Sequence, residues 1–110
     1  MRQFTRKEIL TRLNNKINSG KALIVGGAGT GLVGQAEDRA GIDIIMAYNT
    51  GPYRMDGLIS FIGYMSYGDS NADTMSLARS VLPVVNNTPV VGGIGVGDPY
   101  RNCERLVDEL

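Results

Sequence analysis

The stretch Ala22-Leu23-Ile24-Val25-Gly26-Gly27-Ala28-Gly29-Thr30-Gly31-Leu32-Val33-Gly34 decides the fold class. A short apolar run, Ala22 to Val25, leads into glycines, the pattern of a strand buried on both faces of a parallel sheet. The spacing after the glycines predicts a helix from Leu32 to Ala40, and Gly41 stands where a helix-ending glycine belongs. The unit then repeats. Ile42 to Ala47 is a second strand, followed by a Gly- and Tyr-rich connection from Tyr48 to Gly68. A third helix comes next, capped by Asp69 or Ser70 and ended or kinked by Pro83. Pro89 to Ile94 is the third strand. Asp98-Pro99 puts a cap and an N1 proline at the head of a final helix whose apolar positions are Leu106, Val107 and Leu110.

Upstream, Thr5 and Glu8 have capping-box spacing, and Phe4 and Ile9 occupy the positions of a hydrophobic staple. Ile9, Leu10, Leu13 and Ile17 then recur on one helical face, and Gly20 closes the segment. The expected organisation is an N-terminal helix (1–20) and three βα units, 21–41, 42–88 and 89–110, the last cut short inside its helix. Alternating strands and helices make this an α/β chain with parallel pairing and right-handed crossovers. In strand order 1-2-3 every crossover helix lies on one face, and the other apolar face needs a cover. A closed barrel supplies one by curling the sheet on itself, and a doubly wound sheet in order 2-1-3 supplies one with helices. Both topologies fit the pattern. Either the remainder of a barrel or a homo-oligomer is the expected partner for the bare face and edges.

Composition narrows the function classes. The chain has 110 residues, 11 basic and 11 acidic, and a pI near 6.2, so it lacks the basic footprint of a nucleic-acid binder. No apolar run approaches the roughly 20 residues needed to span a bilayer, and no secretory h-region follows the start. The expected location is cytoplasmic, away from membranes. Arg2, Arg6, Lys7, Arg12, Lys16 and Lys21 crowd the beginning in the manner of a transit peptide, but the helix signals there favour a solvated basic face. Cys103 is the one cysteine and histidine is absent, which excludes a disulfide within the chain, a zinc site and histidine acid/base chemistry. All lysines precede the first strand, so no Schiff-base lysine stands at a strand end.

Gly29-Thr30-Gly31-Leu32-Val33-Gly34 satisfies G-x-G-x-x-G between a strand and a helix. A dinucleotide site also needs an acid at the end of the second strand, where Ala47-Tyr48-Asn49 stands, and no Lys-Ser/Thr pair completes a P-loop. What survives is physical: small residues at Gly27, Ala28, Gly29, Thr30 and Gly31 let backbone N–H groups approach a phosphate or carboxylate at a helix N-terminus. The same glycines could simply turn the chain. The connection from Tyr48 to Gly68 exceeds the roughly 15 residues of an ordinary loop and is expected to cover a site. It gathers Tyr48, Tyr53, Tyr64 and Tyr67 around Arg54 and Asp56, with Phe61, Ile62 and Met65 as anchors. Arg54 can clamp an oxyanion through two parallel N–H groups or pair with Asp56. Asp69 and Asp98 stand where N-caps or hard-cation ligands would, Asp98 being the better placed for Mg²⁺ beyond the third strand. Asp43 lies on the opposite rim, where a structural role is expected.

Three stretches stand together in order: Val25-Gly26-Gly27-Ala28-Gly29-Thr30-Gly31-Leu32, Tyr48-Asn49-Thr50-Gly51-Pro52-Tyr53-Arg54-Met55 and Met65-Ser66-Tyr67-Gly68-Asp69-Ser70-Asn71-Ala72. Val81-Leu82-Pro83-Val84-Val85, Thr88-Pro89-Val90 and Gly97-Asp98-Pro99-Tyr100-Arg101 follow in register. In these the chain resembles the phosphoenolpyruvate hydrolase-like TIM-barrel family, which includes bacterial phosphonopyruvate hydrolase-like and signal-transduction proteins and a domain of a plant antiviral resistance protein. The resemblance implies the first three βα units of a (β/α)8 barrel, related in fold to the phosphoenolpyruvate mutase and isocitrate lyase group. It further implies a small anionic substrate, a phosphorylated or phosphonylated keto acid, cleaved or hydrolysed at its enolpyruvyl or C–P centre. Strand-end carboxylates would hold Mg²⁺, and backbone amides with arginine would hold the substrate. On this chain the candidate catalytic residues are Asp98, Tyr48 and Asp69, with Asp98 also the candidate metal ligand. The candidate anion-binding residues are Gly27, Ala28, Gly29, Thr30, Gly31, Asn49, Gly51, Arg54 and Asn71. After the third strand Gly95-Val96-Gly97-Asp98 stands in place of a paired Asp-x-Asp motif. Catalytic residues of a barrel come from several strand ends, so this chain alone is expected to be inactive. The alternatives are a ligand-binding or signalling module without turnover and a Rossmann-like dinucleotide domain.

Overall fold

In the computed structural model, which describes residues 3–109, helix α1 spans Arg6–Asn18. The Thr5 hydroxyl accepts from Glu8 N at 3.2 Å, and the Glu8 carboxylate accepts from Thr5 N at 2.8 Å, so the capping box forms as its spacing predicts. The apolar face of α1 is shallower than its periodicity implies: Ile9 and Leu13 are half-buried, and Leu10 and Ile17 are exposed. Polar contacts tie α1 to the strand starts. Lys16 pairs with Asp43 at 2.5 Å, and Arg12 donates to the Asn87 carbonyl at 2.8 Å. Asp43 also accepts from Ile24 N at 2.7 Å; that bond first, and Lys16 second, hold its carboxyl below its ordinary value. The residue is structural, on the rim away from the glycine loops.

Strands β1 (Val25–Gly27), β2 (Ile44–Ala47) and β3 (Val90–Gly92) form one parallel sheet in order β1-β2-β3. Its register pairs Gly26 with Ile45, and Ile45 with Val90. Sequential order removes the 2-1-3 arrangement for these three strands. Helices α2 (Gly31–Ala40) and α4 (Ser70–Val81) cover one face, where Ala28, Ile45, Ala47, Leu77, Val81 and Val85 make the buried core. Ile45 and Val81 are fully buried, and burial on this scale contributes about 1.5–3 kcal/mol for each large aliphatic side chain. The opposite face carries Val25, Ile44, Met46 and Val91; Ile44 and Met46 are half-buried, and Val25 and Val91 are 49% and 45% exposed.

Several boundaries differ from the sequence-based expectation. The first strand is not Ala22 to Val25: pairing begins where the Ile24 carbonyl accepts from Asp43 N and Ile44 N, and it runs on through the glycines to Ala28 N and Met46 O. Burial on both faces also fails for Val25, because helices cover a single side. The long connection is not irregular throughout. It contains helix α3 (Thr50–Met55) and a 3₁₀ turn at Ser60–Tyr64. Asp69, rather than Ser70, caps α4, its side chain accepting from Ala72 N at 2.9 Å; after Val81 the chain tightens into a 3₁₀ turn at Leu82–Val84, around Pro83. The last helix does not begin at Asp98-Pro99. Asp98 Oδ1 instead accepts from Tyr100 N and Arg101 N in a turn, and α5 (Cys103–Glu109) starts after Asn102, whose side chain accepts from Arg105 N. Leu106 is buried as expected and Val107 is exposed, while Leu110 lies outside the described residues. No helix among the described residues is long and apolar enough to cross a membrane.

Asp38, on α2, is 6% exposed and joins that helix to the turn before β3: its carboxylate accepts from Asn86 N (3.1 Å), Asn87 N (2.9 Å) and Asn87 Nδ2 (3.2 Å). Burial alone would raise its pKa, but the N–H donors outweigh burial and leave it below 3.8. Replacing it leaves three part-buried donors without their acceptor, so Asp38→Ala is expected to destabilise the protein by about 1–2 kcal/mol in urea unfolding at neutral pH. A folded pKa below the unfolded one means that this contribution is complete above the unfolded value and fades as acid protonates the folded carboxylate. The gap between wild type and Asp38→Ala should therefore narrow below about pH 4.

Candidate functional site

The candidate residues collect at the C-terminal ends of the strands, where they fall into three groups. In the first, the glycine loop after β1 is a packing junction. A Cβ at Gly29 would collide with the Gly51 carbonyl and lie 2.6 Å from Met55 Cγ; one at Gly51 would lie 2.7 Å from the Ala28 carbonyl oxygen. Gly31 backs onto the Ser80 carbonyl, where a Cβ would approach to 2.5 Å. None of these glycines has positive φ, so close approach rather than a left-handed turn demands them. Thr30 caps α2, its hydroxyl accepting from Val33 N at 3.3 Å.

The second group stands over Gly27, the last residue of β1. Tyr48 follows β2 with its Cβ beside Gly93, and Arg54 reaches back from α3. The guanidinium lies 5.5 Å from the centroid of the Tyr48 ring, and its Nη2 donates to Tyr48 Oη at 3.0 Å. Arg54 is exposed and makes no ion pair among the described residues, with Asp56 or any other carboxylate. Tyr53, also on α3, faces the other way: it is buried, donates to Asp73 on α4, and packs edge-on to Tyr67 with ring centroids 5.2 Å apart. Its bond to Asp73, with burial second, pushes its pKa up to about 12, which marks it as an anchor of α3.

The third group closes the loops ahead of α4 and α5. Asn71 is 3% exposed; its Oδ1 accepts from Gly95 N at 2.8 Å, and its Nδ2 donates to the Gly95 carbonyl and to Asp98 Oδ2. Arg101 forks across Asp69, at 2.5 and 2.9 Å, and Asp98, at 2.7 Å. Hydrogen bonds from Asn71 first, then Arg101 and Tyr100 N, hold the Asp98 carboxyl well below the usual carboxylate range. Arg101 does the same, more mildly, for Asp69. A cleft of about 660 Å³ runs between the two loops, lined by Tyr67, Asp69, Asn71, Gly97, Tyr100 and Arg101 among others. Asn49 links the groups by donating to the Gly63 carbonyl and to Ser70 Oγ, both at 3.0 Å.

Mg²⁺ does not fit this arrangement. A carboxylate offers about four lone-pair positions, and those of Asp98 are engaged by Tyr100 N, Arg101 N, Arg101 Nη1 and Asn71 Nδ2. A cation there would have to displace a guanidinium.

Residues 8–110 match the phosphoenolpyruvate hydrolase-like family. The chain belongs to this family. It is 38% identical over 105 residues to the tomato (Solanum lycopersicum) ToMV resistance protein Tm-1(GCR237), a match covering 96% of this chain and 14% of that protein. The ToMV susceptible protein tm-1(GCR26) from the same plant is 38% identical over 102 residues, covering 93% and 14%. A Sinorhizobium fredii protein, y4pA, named as a candidate transcriptional regulator, is 33% identical over 107 residues, covering 96% and 17%. The chain thus spans about a seventh of the length of the tomato relatives.

Arg101 is the residue of this phosphoenolpyruvate hydrolase-like domain that sequence reasoning passed over. Its signal was the i, i+3 spacing from Asp98. Glu37 was passed over as an ordinary helix position, although it stands against the glycines of β1. The Asn71 amide, by contrast, sits buried with its donors and acceptor satisfied. Asn71→Ala is expected to cost about 1–3 kcal/mol and to speed hydrogen exchange at Gly95 N well beyond the change at Ile45 N, as read by NMR.

Proposed function

We propose that this domain binds a small phosphorylated or phosphonylated keto acid at the C-terminal rim of the sheet, with Arg54 as its anion anchor. The observation that carries the reading is the guanidinium over Gly27, stacked on Tyr48 and free of carboxylate partners among the described residues. An arginine held by an aromatic ring and a phenol keeps N–H groups available for a phosphonate or carboxylate. Tyr48 Oη accepts from Arg54, which leaves its own proton to donate to a ligand oxygen. The first turn of α2, next to the Gly29–Gly51 junction, adds the positive end of a helix on the same rim. The wider cleft suits an anion less well, because it sets two carboxylates against one guanidinium.

Sequential parallel strands with helices on one face and a bare apolar face are what three consecutive units of a (β/α)8 barrel present, and rim residues then lie at the barrel mouth. In that setting the full-length protein would cleave or hydrolyse the ligand at its enolpyruvyl or C–P centre, with groups from other strand ends completing the constellation. A second reading, a binding or signalling module without turnover, is favoured by the engagement of every Asp98 lone pair and by the resistance and regulatory names of the relatives.

Titration calorimetry with phosphoenolpyruvate and phosphonopyruvate tests the anchor. Arg54→Ala should weaken binding at least about tenfold, and Arg54→Lys should restore only part of it, since an ammonium cannot make the paired N–H contact. Unchanged affinity in Arg54→Ala would refute the assignment. Pyruvate release by the full-length protein, lost in Tyr48→Phe, would favour the enzyme; tight binding with no product would favour the module.

A further inference from the structure

Gly26 and Gly27 are consecutive in β1, so they look out of opposite faces of the sheet. On the helix-covered face a Cβ at Gly26 would collide with Glu37 Oε1 and lie 2.7 Å from Ile42 Cδ1. On the bare face a Cβ at Gly27 would lie 3.0 Å from Arg54 Nη2 and 3.1 Å from Tyr48 Oη. A carboxylate and a guanidinium therefore press on the two sides of one strand with only glycine backbone between them. Any side chain at either position would push one of them away.

Glu37 is an unusual acid in its own right. Its Oε2 is buried and has no hydrogen-bond partner among the described residues, although a buried ionised carboxylate normally collects several donors. Gly26, against which it stands, does not titrate, and the charge that acts on it is that of Arg54. Burial raises the Glu37 pKa, the positive field of Arg54 draws it down, and burial prevails.

We propose that anion binding at Arg54 is coupled to proton uptake by Glu37 across the Gly26–Gly27 window. This rests on the reading of Arg54 as the anion anchor. A bound anion cancels the positive field that favours ionised Glu37, so the carboxylate takes a proton from solvent onto its unpartnered oxygen. Linkage requires the converse: protonation of Glu37 removes a negative charge near the anion and tightens binding by the same factor. Affinity should rise as pH falls through the pKa of Glu37, which lies above its ordinary 4.5. The rim thus binds a proton together with its anion, a property suited to a ligand whose breakdown needs a proton delivered nearby.

Sulfate is the probe, because its charge stays constant between about pH 5 and about pH 8 while that of phosphate does not. Calorimetry of the 110-residue chain in buffers of different ionisation enthalpy reads both affinity and protons taken up. Wild type should bind sulfate roughly threefold to tenfold more tightly at the acid end, with net proton uptake between. Glu37→Gln, which mimics the protonated acid, should bind with the acid-end affinity at every pH and take up no proton. Arg54→Ala should not bind. Sulfate binding that depends on Arg54 but is flat with pH, or proton uptake that survives in Glu37→Gln, overturns the coupling and leaves the anchor standing. Binding that survives in Arg54→Ala, or no binding by wild type, overturns the anchor and the coupling with it.

Discussion

Gly29 and Gly51 meet backbone to backbone, and the geometry of the rim depends on that contact. With no Cβ on either residue, the first turn of α3 seats against the loop leaving β1. This brings Arg54, one turn further along, back over Gly27. A methyl group at either glycine would lift α3 and carry Arg54 off Tyr48. Gly31 and Gly34 play the same part on the other side of the loop, letting α2 settle against Ser80 and Val81. The glycines therefore serve a ligand indirectly, by allowing three helices to converge on one strand end. Tyr53 and Asp73 then fix α3 from behind.

Electrostatics divides the rim into unlike halves. Around Gly27 stand the Arg54 guanidinium and, nearby, the head of α2. Around the cleft between the loops ahead of α4 and α5, Arg101 is consumed by Asp69 and Asp98. Surface ion pairs of this kind contribute little stability singly, but a fork shared between two loops gives both a defined position. Asn71 completes the arrangement from below, treating the Gly95 peptide as a partner for its own amide. Asp98 is thus a hub that orders a loop, which explains why a short turn, and not a helix, follows Pro99.

The chain belongs to the phosphoenolpyruvate hydrolase-like family, and among the described residues helices cover one face of its sheet. In a parallel sheet of order β1-β2-β3 right-handed crossovers put the connecting helices on one side. Val25 and Val91, each about half exposed, lie on the other side. The same bare face leaves the Arg54 and Tyr48 side chains open above Gly27.

Much of this was legible in the residues. The alternation of strands and helices, the caps at Thr5 and Asp69, and the family motifs depend on neighbours a few positions apart, and local patterns record local physics. The location of the candidate residues at strand ends was legible for the same reason. Strand order was not, because a 1-2-3 and a 2-1-3 sheet need the same apolar runs. Nor was the start of α5, where an aspartate with two competing uses satisfied a turn instead of a helix. Above all, the partnerships of Arg54 with Tyr48, of Arg101 with Asp69 and of Glu37 with the back of Gly26 join residues 6, 32 and 11 positions apart. Long polar side chains reach whatever the packed backbone sets before them, and that was decided only when the helices closed on the sheet.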